Sequence, residues 1–311
     1  MTPPAEVSAA ARLEVDRKRL QSRFARAARR TRRRCDPDAI HDARVALRQL
    51  EAALDLWRSA LRRRTRRRAR RELKALRRAL GPAREAFISL GLLGERLPDL
   101  APEARHTIED AHSILRSRVD RLEERAARLC VRSRTERVQR RLERAWSEST
   151  AGSDPASSWL GDARARVDLR RDRANAALRE AADVGTDEAL HAARVTVKRW
   201  RYALERLAAV DPAVDTSAHK WLKALQRTLG QVQDLADLRA RIALLNASLA
   251  PSGTRATVVS LRGLLTTIEA ERSECVDEFR RRVAATPSGA GRVPGLASLE
   301  RVGPERFERR E

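Results

Sequence analysis

An all-α fold is predicted from three features of the sequence. Ala, Leu, Arg and Glu, all residues with high helix propensity, fill long segments of the 311-residue chain. Apolar residues recur every three or four positions, which is the period of one helix face. Alternating runs of Val, Ile or Thr, which are typical of strands, are nearly absent. We therefore expect helices throughout and no sheet.

Caps and breakers divide the first half of the chain. Asp36 suits the N-cap of a helix because Pro37 follows it at the first helical position. A break is expected at Gly81-Pro82, since proline lacks the backbone donor that a helix needs. The predicted helices of this half cover residues 6–34, 37–61, 62–80 and 102–145.

A polar segment, SESTAGSDPASS, separates this half from a second one in which the order recurs. Thr186 suits an N-cap, Asp211-Pro212 a turn, and Gly230 an interruption. The predicted helices here cover residues 160–183, 187–208, a segment ending at 229, and further helices to about 285. We thus expect a first helical-bundle repeat over 1–146, a linker over 147–158, a second repeat over 159–285 and a tail without a packed core over 286–311.

Two pairs of similar segments indicate an internal duplication. IHDARVALRQLEAAL at 40–54 resembles LHAARVTVKRWRYAL at 190–204, and KALRRALG at 74–81 resembles KALQRTLG at 223–230. The last glycine of the second segment lies 40 positions after the histidine in one half and 39 in the other. Because both the residues and the interval recur, we predict two copies of a four-helix unit.

Each motif helix is predicted to have one basic and one apolar face. At about 100° per residue, the three bases of each copy share an arc of about 60°. These bases are His41, Arg44 and Arg48 in the first copy, and His191, Arg194 and Lys198 in the second. The opposite faces carry Ala43, Leu47, Leu50, Leu54 and Trp57, and Ala193, Val197, Trp200, Leu204 and Leu207. Each helix should therefore face a core on one side and an anion on the other.

The net charge also indicates an anionic partner. Sixty-six Lys and Arg against 43 Asp and Glu give a formal charge of +23, more than solubility requires. Guanidinium groups match phosphoryl oxygens with a planar fork of donors, while Lys and protonated His add further donors. A solvated face is the usual interpretation of charges opposite an apolar stripe. The duplication favours binding instead, because the same residue types recur at the same offsets.

These residues resemble the conserved-histidine α-helical domain, the CHAD domain, over roughly residues 10–285. The resemblance lies in H-x-x-R-V-x-x-[R/K] followed by L-G-x-x-[R/Q]-[D/E], present twice. It implies two four-helix bundles about a pseudo-twofold axis, with a basic face that binds inorganic polyphosphate without catalysis. The implied binding residues are His41, Arg44, Arg48, His191, Arg194, Lys198, Arg199 and Arg201. It also implies association with polyphosphate granules and their enzymes.

The first copy departs from the family pattern. Glu51 stands where the second copy has Arg201, and Glu85 stands where it has Asp234. We therefore expect the first half to bind less strongly or to hold its bases in internal ion pairs. Further basic positions are Lys74, Arg78, Arg84, Lys223 and Arg227. Repeat symmetry does not fix which way these side chains point, so they line a basic channel between the two motif helices or cover the outside of their bundles.

Two other functions remain open. Sequence-nonspecific nucleic-acid binding fits the charge equally well, although few aromatic residues remain outside the expected core for base stacking. A phosphate-cleaving enzyme fits least, because the repeated motif supplies cations and there is neither a P-loop nor an E-x-E-x-K motif. We therefore predict a protein that is not an enzyme.

No cofactor or metal site is expected, because Cys35, Cys130 and Cys275 lie far apart and His106, His112 and His219 match no metal motif. Neither an export signal nor a run of about 18 apolar residues is visible. We expect a cytoplasmic protein that does not enter a membrane, with three reduced cysteines.

Overall fold

A computed structural model of the protein describes residues 8–96, 102–149, 156–249 and 255–287. These residues form ten α-helices, and no strand occurs among them beyond an isolated β-bridge between Leu61 and Ser149. The predicted all-α fold is confirmed. In chain order the helices are α1 Ala9–Arg33, α2 Pro37–Leu56, α3 Arg63–Ala79, α4 Gly81–Arg96, α5 Pro102–Leu129, α6 Arg132–Ser147, α7 Ala156–Val184, α8 Asp187–Ala208, α9 Ala218–Leu249 and α10 Arg255–Ala284.

Both motif helices begin at the caps expected from the sequence. The amide nitrogen of Ala39 donates to Oδ1 of Asp36 over 2.6 Å, and Pro37 occupies the first turn of α2. Likewise, the amide of Ala189 donates to the hydroxyl of Thr186 over 3.3 Å at the start of α8. Each cap satisfies one of the backbone donors left free at a helix start and so fixes where the basic face begins.

The two equivalent glycines behave differently. α3 ends at Ala79 and α4 begins at Gly81, so the predicted break is confirmed. The interruption predicted at Gly230 is wrong, because α9 continues through it. Gly81 precedes Pro82, whereas Gly230 precedes Gln231. A helical glycine alone costs only about 1 kcal/mol, which packing can offset, whereas an interior proline also removes a hydrogen bond.

Two other predicted helix bounds are corrected. The helix predicted over 102–145 is divided at Cys130 and Val131, where the hydroxyl of Thr135 donates to the carbonyl of Val131 over 2.9 Å. α2 ends at Leu56 rather than near residue 61, and Nη1 of Arg166 on α7 donates to the Leu56 carbonyl over 2.8 Å. A side chain from another helix therefore satisfies the Leu56 carbonyl at the end of α2, whereas the bond of Thr135 is local to the first turn of α6.

α2 and α8 lie at the centre of the molecule. α2 packs against α1, α3 and α8, while α8 packs against α7, α9 and α2. One continuous cluster of buried apolar side chains contains residues from both halves, including Trp57 and Trp159 in an edge-to-face contact with ring centroids 5.5 Å apart. The central position of these helices brings the two copies of the motif together.

Residues 150–155 of the linker predicted over 147–158 and residues 288–311 of the tail predicted over 286–311 lie outside the described residues. The division into two duplicated repeats about a pseudo-twofold axis stays a prediction.

Candidate functional site

The apolar faces of α2 and α8 are buried, as their spacing predicts. All ten apolar residues named above for the two motif helices are 5% exposed or less. The basic residues opposite them lie at two levels, since His41 and His191 are exposed while Arg44, Arg48, Arg194 and Lys198 are half-buried. We refer to these last four side chains as the α2–α8 cluster.

Helix packing concentrates positive charge at the α2–α8 cluster. The pKa of Lys198 is lowered to about 6, mainly by burial and then by the nearby charges of Arg48, Arg194, Arg44 and Arg201, in that order of importance. Burial also lowers the pKa of Arg48, and Arg77 and Arg194 act in the same direction. Helices from both halves thus contribute charges that repel one another, so an anion that enters here would be stabilised by all of them.

Three members of the cluster have no partner among the described residues. Arg48, Arg194 and Lys198 form no hydrogen bond or ion pair there, and Nε of Arg194 is buried without an acceptor. Unpaired guanidinium groups removed from water carry a desolvation cost that a bound anion would offset. This arrangement differs from the paired guanidinium groups that are common on the surface of the protein.

Arg44 is held in place by the backbone. Its Nη1 donates to the carbonyl of Arg77 over 2.8 Å, and burial lowers its pKa to about 10. A Cβ atom at Gly81 would lie 3.3 Å from this same Nη1. The absence of a side chain at Gly81 therefore leaves room for the guanidinium group, which is a role for this glycine that the sequence did not indicate.

Both halves have a bond between the motif helix and the helix that follows it. Nε of Arg77 donates to Glu51 over 2.7 Å in the first half, and Nε of Arg201 donates to Gln226 over 2.8 Å in the second. Glu51 and Arg201 hold equivalent places in the repeat, as do Arg77 and Gln226. The acid that replaces a base in the first copy thus has its own arginine. The aligned repeats KALRRALG and KALQRTLG already indicate this bond. Arg77 becomes Gln226 in the second copy, and its partner Glu51 becomes Arg201.

The histidines have different neighbours. Partial desolvation by the surrounding residues and the charge of Arg84 lower the pKa of His41, while Nδ1 of His191 lies 3.0 Å from Oε1 of Gln233. Burial also raises the pKa of Asp234, against the opposing effects of Arg194 and Arg84. The bases at the edge of the cluster are therefore not equivalent in the two halves.

Other predicted positions lie outside the α2–α8 cluster or are already paired. Arg201 forms an ion pair with Glu205 as well as its bond to Gln226. The remaining predicted bases that are exposed, with no ion pair within the described ranges, are Arg199, Lys74, Arg78, Lys223 and Arg227. Arg84 is half-buried near His41.

Two cavities lie away from the cluster. One of about 470 Å³ between α1 and α6 is lined by arginines, including Arg29 and Arg132. Another of about 480 Å³ lies between α4 and α5 and includes His112. In the part of the chain that the structure describes, no group of three or more His, Cys, Asp or Glu could hold a metal, and no helix is long and apolar enough to cross a membrane.

Comparison with known proteins identifies the family. The model of the CHAD domain matches residues 6–243. A crystal structure of the CHAD domain from the plant Ricinus communis is similar with a TM-score of 0.67 and 22% identity, over 91% of this chain and 93% of that chain. PptA from Streptomyces chartreusis is similar with a TM-score of 0.64 and 20% identity, over 88% of this chain and 96% of that chain. No curated protein matches. Both of these structures share the fold of this chain. Because the family model covers more than half of the sequence, the chain belongs to the CHAD family.

Proposed function

We propose that this protein binds inorganic polyphosphate at the α2–α8 cluster without cleaving it. The observation that supports the proposal best is the set of half-buried basic side chains from both halves, three of which have no partner among the described residues. Mobile counter-ions in water neutralise surface arginines readily. Half-buried cations are neutralised better by an anion that enters between the helices.

A linear phosphate chain fits this arrangement. The predicted bases follow each motif helix at intervals of about one turn, or about 5.4 Å. Two adjacent helices therefore offer two rows of donors to one extended anion. His41 and His191, which are exposed, add donors at the edge of the cluster when protonated. Membership of the CHAD family also supports polyphosphate as the ligand, and an association with polyphosphate granules in the cytoplasm belongs to the same proposal.

Binding rather than cleavage follows from the kind of side chain present. Phosphoryl hydrolysis generally uses carboxylates to hold a divalent metal beside the phosphate. The α2–α8 cluster supplies cations, and the carboxylate of Asp234 interacts with Arg194 and Lys198 at its edge. A site of this composition stabilises the phosphate chain in its ground state.

A pair of double variants tests the site. Arg48→Ala with Arg194→Ala removes two charges from the α2–α8 cluster, while Arg64→Ala with Arg67→Ala removes two exposed charges from α3. Desolvated charge-assisted bonds contribute roughly 1.5–3 kcal/mol each and exposed charges about 0–1 kcal/mol. We expect the cluster variant to lose at least about tenfold more affinity for long-chain polyphosphate, a difference of about 1.4 kcal/mol. Equal losses in two folded proteins, checked by circular dichroism, would reject the site.

Nucleic-acid binding is the second candidate function. The observation that favours it is the exposed basic run on α3, where Arg63, Arg64, Arg67, Arg68 and Arg70 are all exposed. Such a surface attracts any polyanion through counter-ion release. Competition between long-chain polyphosphate and duplex DNA, at matched phosphate and about 0.15 M salt, distinguishes the two functions. Preference for polyphosphate that disappears in the cluster variant supports the first, and preference for DNA supports the second.

A further inference from the structure

Lys198 occupies an unusual position for a lysine in this protein. It lies on the side of α8 that faces α2 and is half-buried, whereas Lys18, Lys74 and Lys223 are exposed. Its amine has no hydrogen-bond or ion-pair partner among the described residues. The protein thus places the amine between the two motif helices without an acid in direct contact with it.

The charges that act on Lys198 come from three helices. Arg44 and Arg48 act on it from α2, Arg194 and Arg201 act from α8 itself, and Asp234 acts from α9. Four of these five groups are guanidinium groups. Cations therefore predominate around the amine.

Other titratable groups lie farther out on the helices that pack here. The edge of the cluster carries His41 on α2 and His191 on α8. α7, which also packs against α8, contributes Arg166 and Arg170. Their guanidinium groups pair with Asp162 and Asp55 respectively, so their charges are compensated locally.

We propose that a phosphate chain binding at the α2–α8 cluster brings about the uptake of one proton by Nζ of Lys198. This inference rests on the proposed function and adds a regulatory property to it. The free amine takes a proton from solvent, an N–H bond forms, and the resulting ammonium donates to a phosphoryl oxygen. Without the anion, four neighbouring guanidinium groups and partial burial disfavour the charged amine. With the anion, its negative charge compensates them.

The sign of the pH dependence follows from this step. Lys198 in the free protein has a pKa lowered to about 6, mainly by burial. An adjacent phosphate raises that pKa in the complex. Between the two values the complex holds one more proton than the free protein, so affinity falls as the pH rises, by up to about tenfold per pH unit. Below about pH 6 the amine is already charged and its contribution to the pH dependence disappears.

Titration calorimetry measures the proton directly. Polyphosphate is titrated into the full chain at pH 7.5 in Tris and in HEPES, whose ionisation enthalpies differ, and the difference gives the number of protons taken up. Lys198→Arg stays charged at this pH, so we expect it to take up about 0.5 to 1 proton fewer than the wild type. Lys198→Met, which has no titratable group, provides a second measurement if arginine does not fit the site.

Control variants separate the other titrating groups. Asp234→Asn and His41→Gln each remove a different titrating group near the cluster. Lys198→Arg is measured in the wild-type protein and in each of these two backgrounds. We expect it to remove the same number of protons taken up in all three. Titration of the phosphate chain ends is common to every variant and cancels. If both Lys198 variants bind polyphosphate with the wild-type proton uptake, the inference is wrong while the proposed function stands. If the wild type does not bind polyphosphate, both are wrong.

Discussion

A buried ion pair joins the two halves of the protein. Nη1 of Arg206 on α8 lies 2.5 Å from Oδ1 of Asp16 on α1, and the two residues are 8% and 3% exposed. Nε of Arg206 has no acceptor among the described residues. The guanidinium group therefore depends on this carboxylate for compensation of its charge.

Asp16→Ala should lower the free energy of unfolding by about 3–5 kcal/mol, because it leaves a buried cation without a partner. That loss is a large part of the roughly 5–15 kcal/mol by which domains are stable. Replacing both residues with apolar ones, Asp16→Leu with Arg206→Met, should cost much less, since no charge then remains buried. Glu14→Ala on the same helix breaks the more exposed pair with Arg17 and should cost about 1 kcal/mol or less.

Urea denaturation followed by circular dichroism and tryptophan fluorescence measures all three variants. Coincident transitions by the two probes are needed before the free energies are compared. The reasoning is refuted if Asp16→Ala costs under about 1 kcal/mol, or if the double variant is as unstable as the single one.

Two further predictions concern the repeated segments. Gly230→Ala should stabilise the protein by about 0.5–1 kcal/mol and leave polyphosphate affinity unchanged, since an added Cβ meets nothing within 4 Å. Gly81→Ala should instead weaken polyphosphate binding, because its Cβ crowds Nη1 of Arg44. Thermal melts and binding titrations on both variants check this, and equal effects on binding would contradict it. Glu51→Arg should lower the free energy of unfolding by about 1–3 kcal/mol, because it removes the partner of Arg77. Adding Arg77→Gln should recover most of this stability, because the pair then reproduces the bond between Arg201 and Gln226. Failure of the second change to restore stability, measured by urea denaturation, would show that the two bonds are not equivalent.

Local rules were sufficient for most helices and for the faces of the motif helices. Asp36 and Thr186 cap α2 and α8 through side-chain bonds that span only three residues, so these caps can be predicted from the local sequence. The apolar positions of both helices are buried for a similar reason, because helical periodicity fixes which side chains share a face. The predicted basic residues accordingly lie on one side of each helix.

One error had a local cause, because α9 runs through Gly230, which no proline follows. Another arose where a distant residue contributes, since α2 stops at Leu56 and Arg166, 110 positions away, donates to its final carbonyl. The sequence also indicated eight binding positions without ranking them. Arg199 is exposed and Arg201 is paired with Glu205, while Arg77, which was not among them, supplies the carbonyl that holds Arg44.

The helical class, the repeated basic motif and the excess of positive charge could all be read from the amino-acid sequence, because propensity, periodicity and composition do not depend on contacts between distant residues. Which basic side chains are half-buried and unpaired depends instead on how the helices pack. Desolvation and charge repulsion depend on distances between helices that lie about 150 positions apart in the chain. That packing makes Lys198, one base among 66, the residue whose pKa is lowered to about 6.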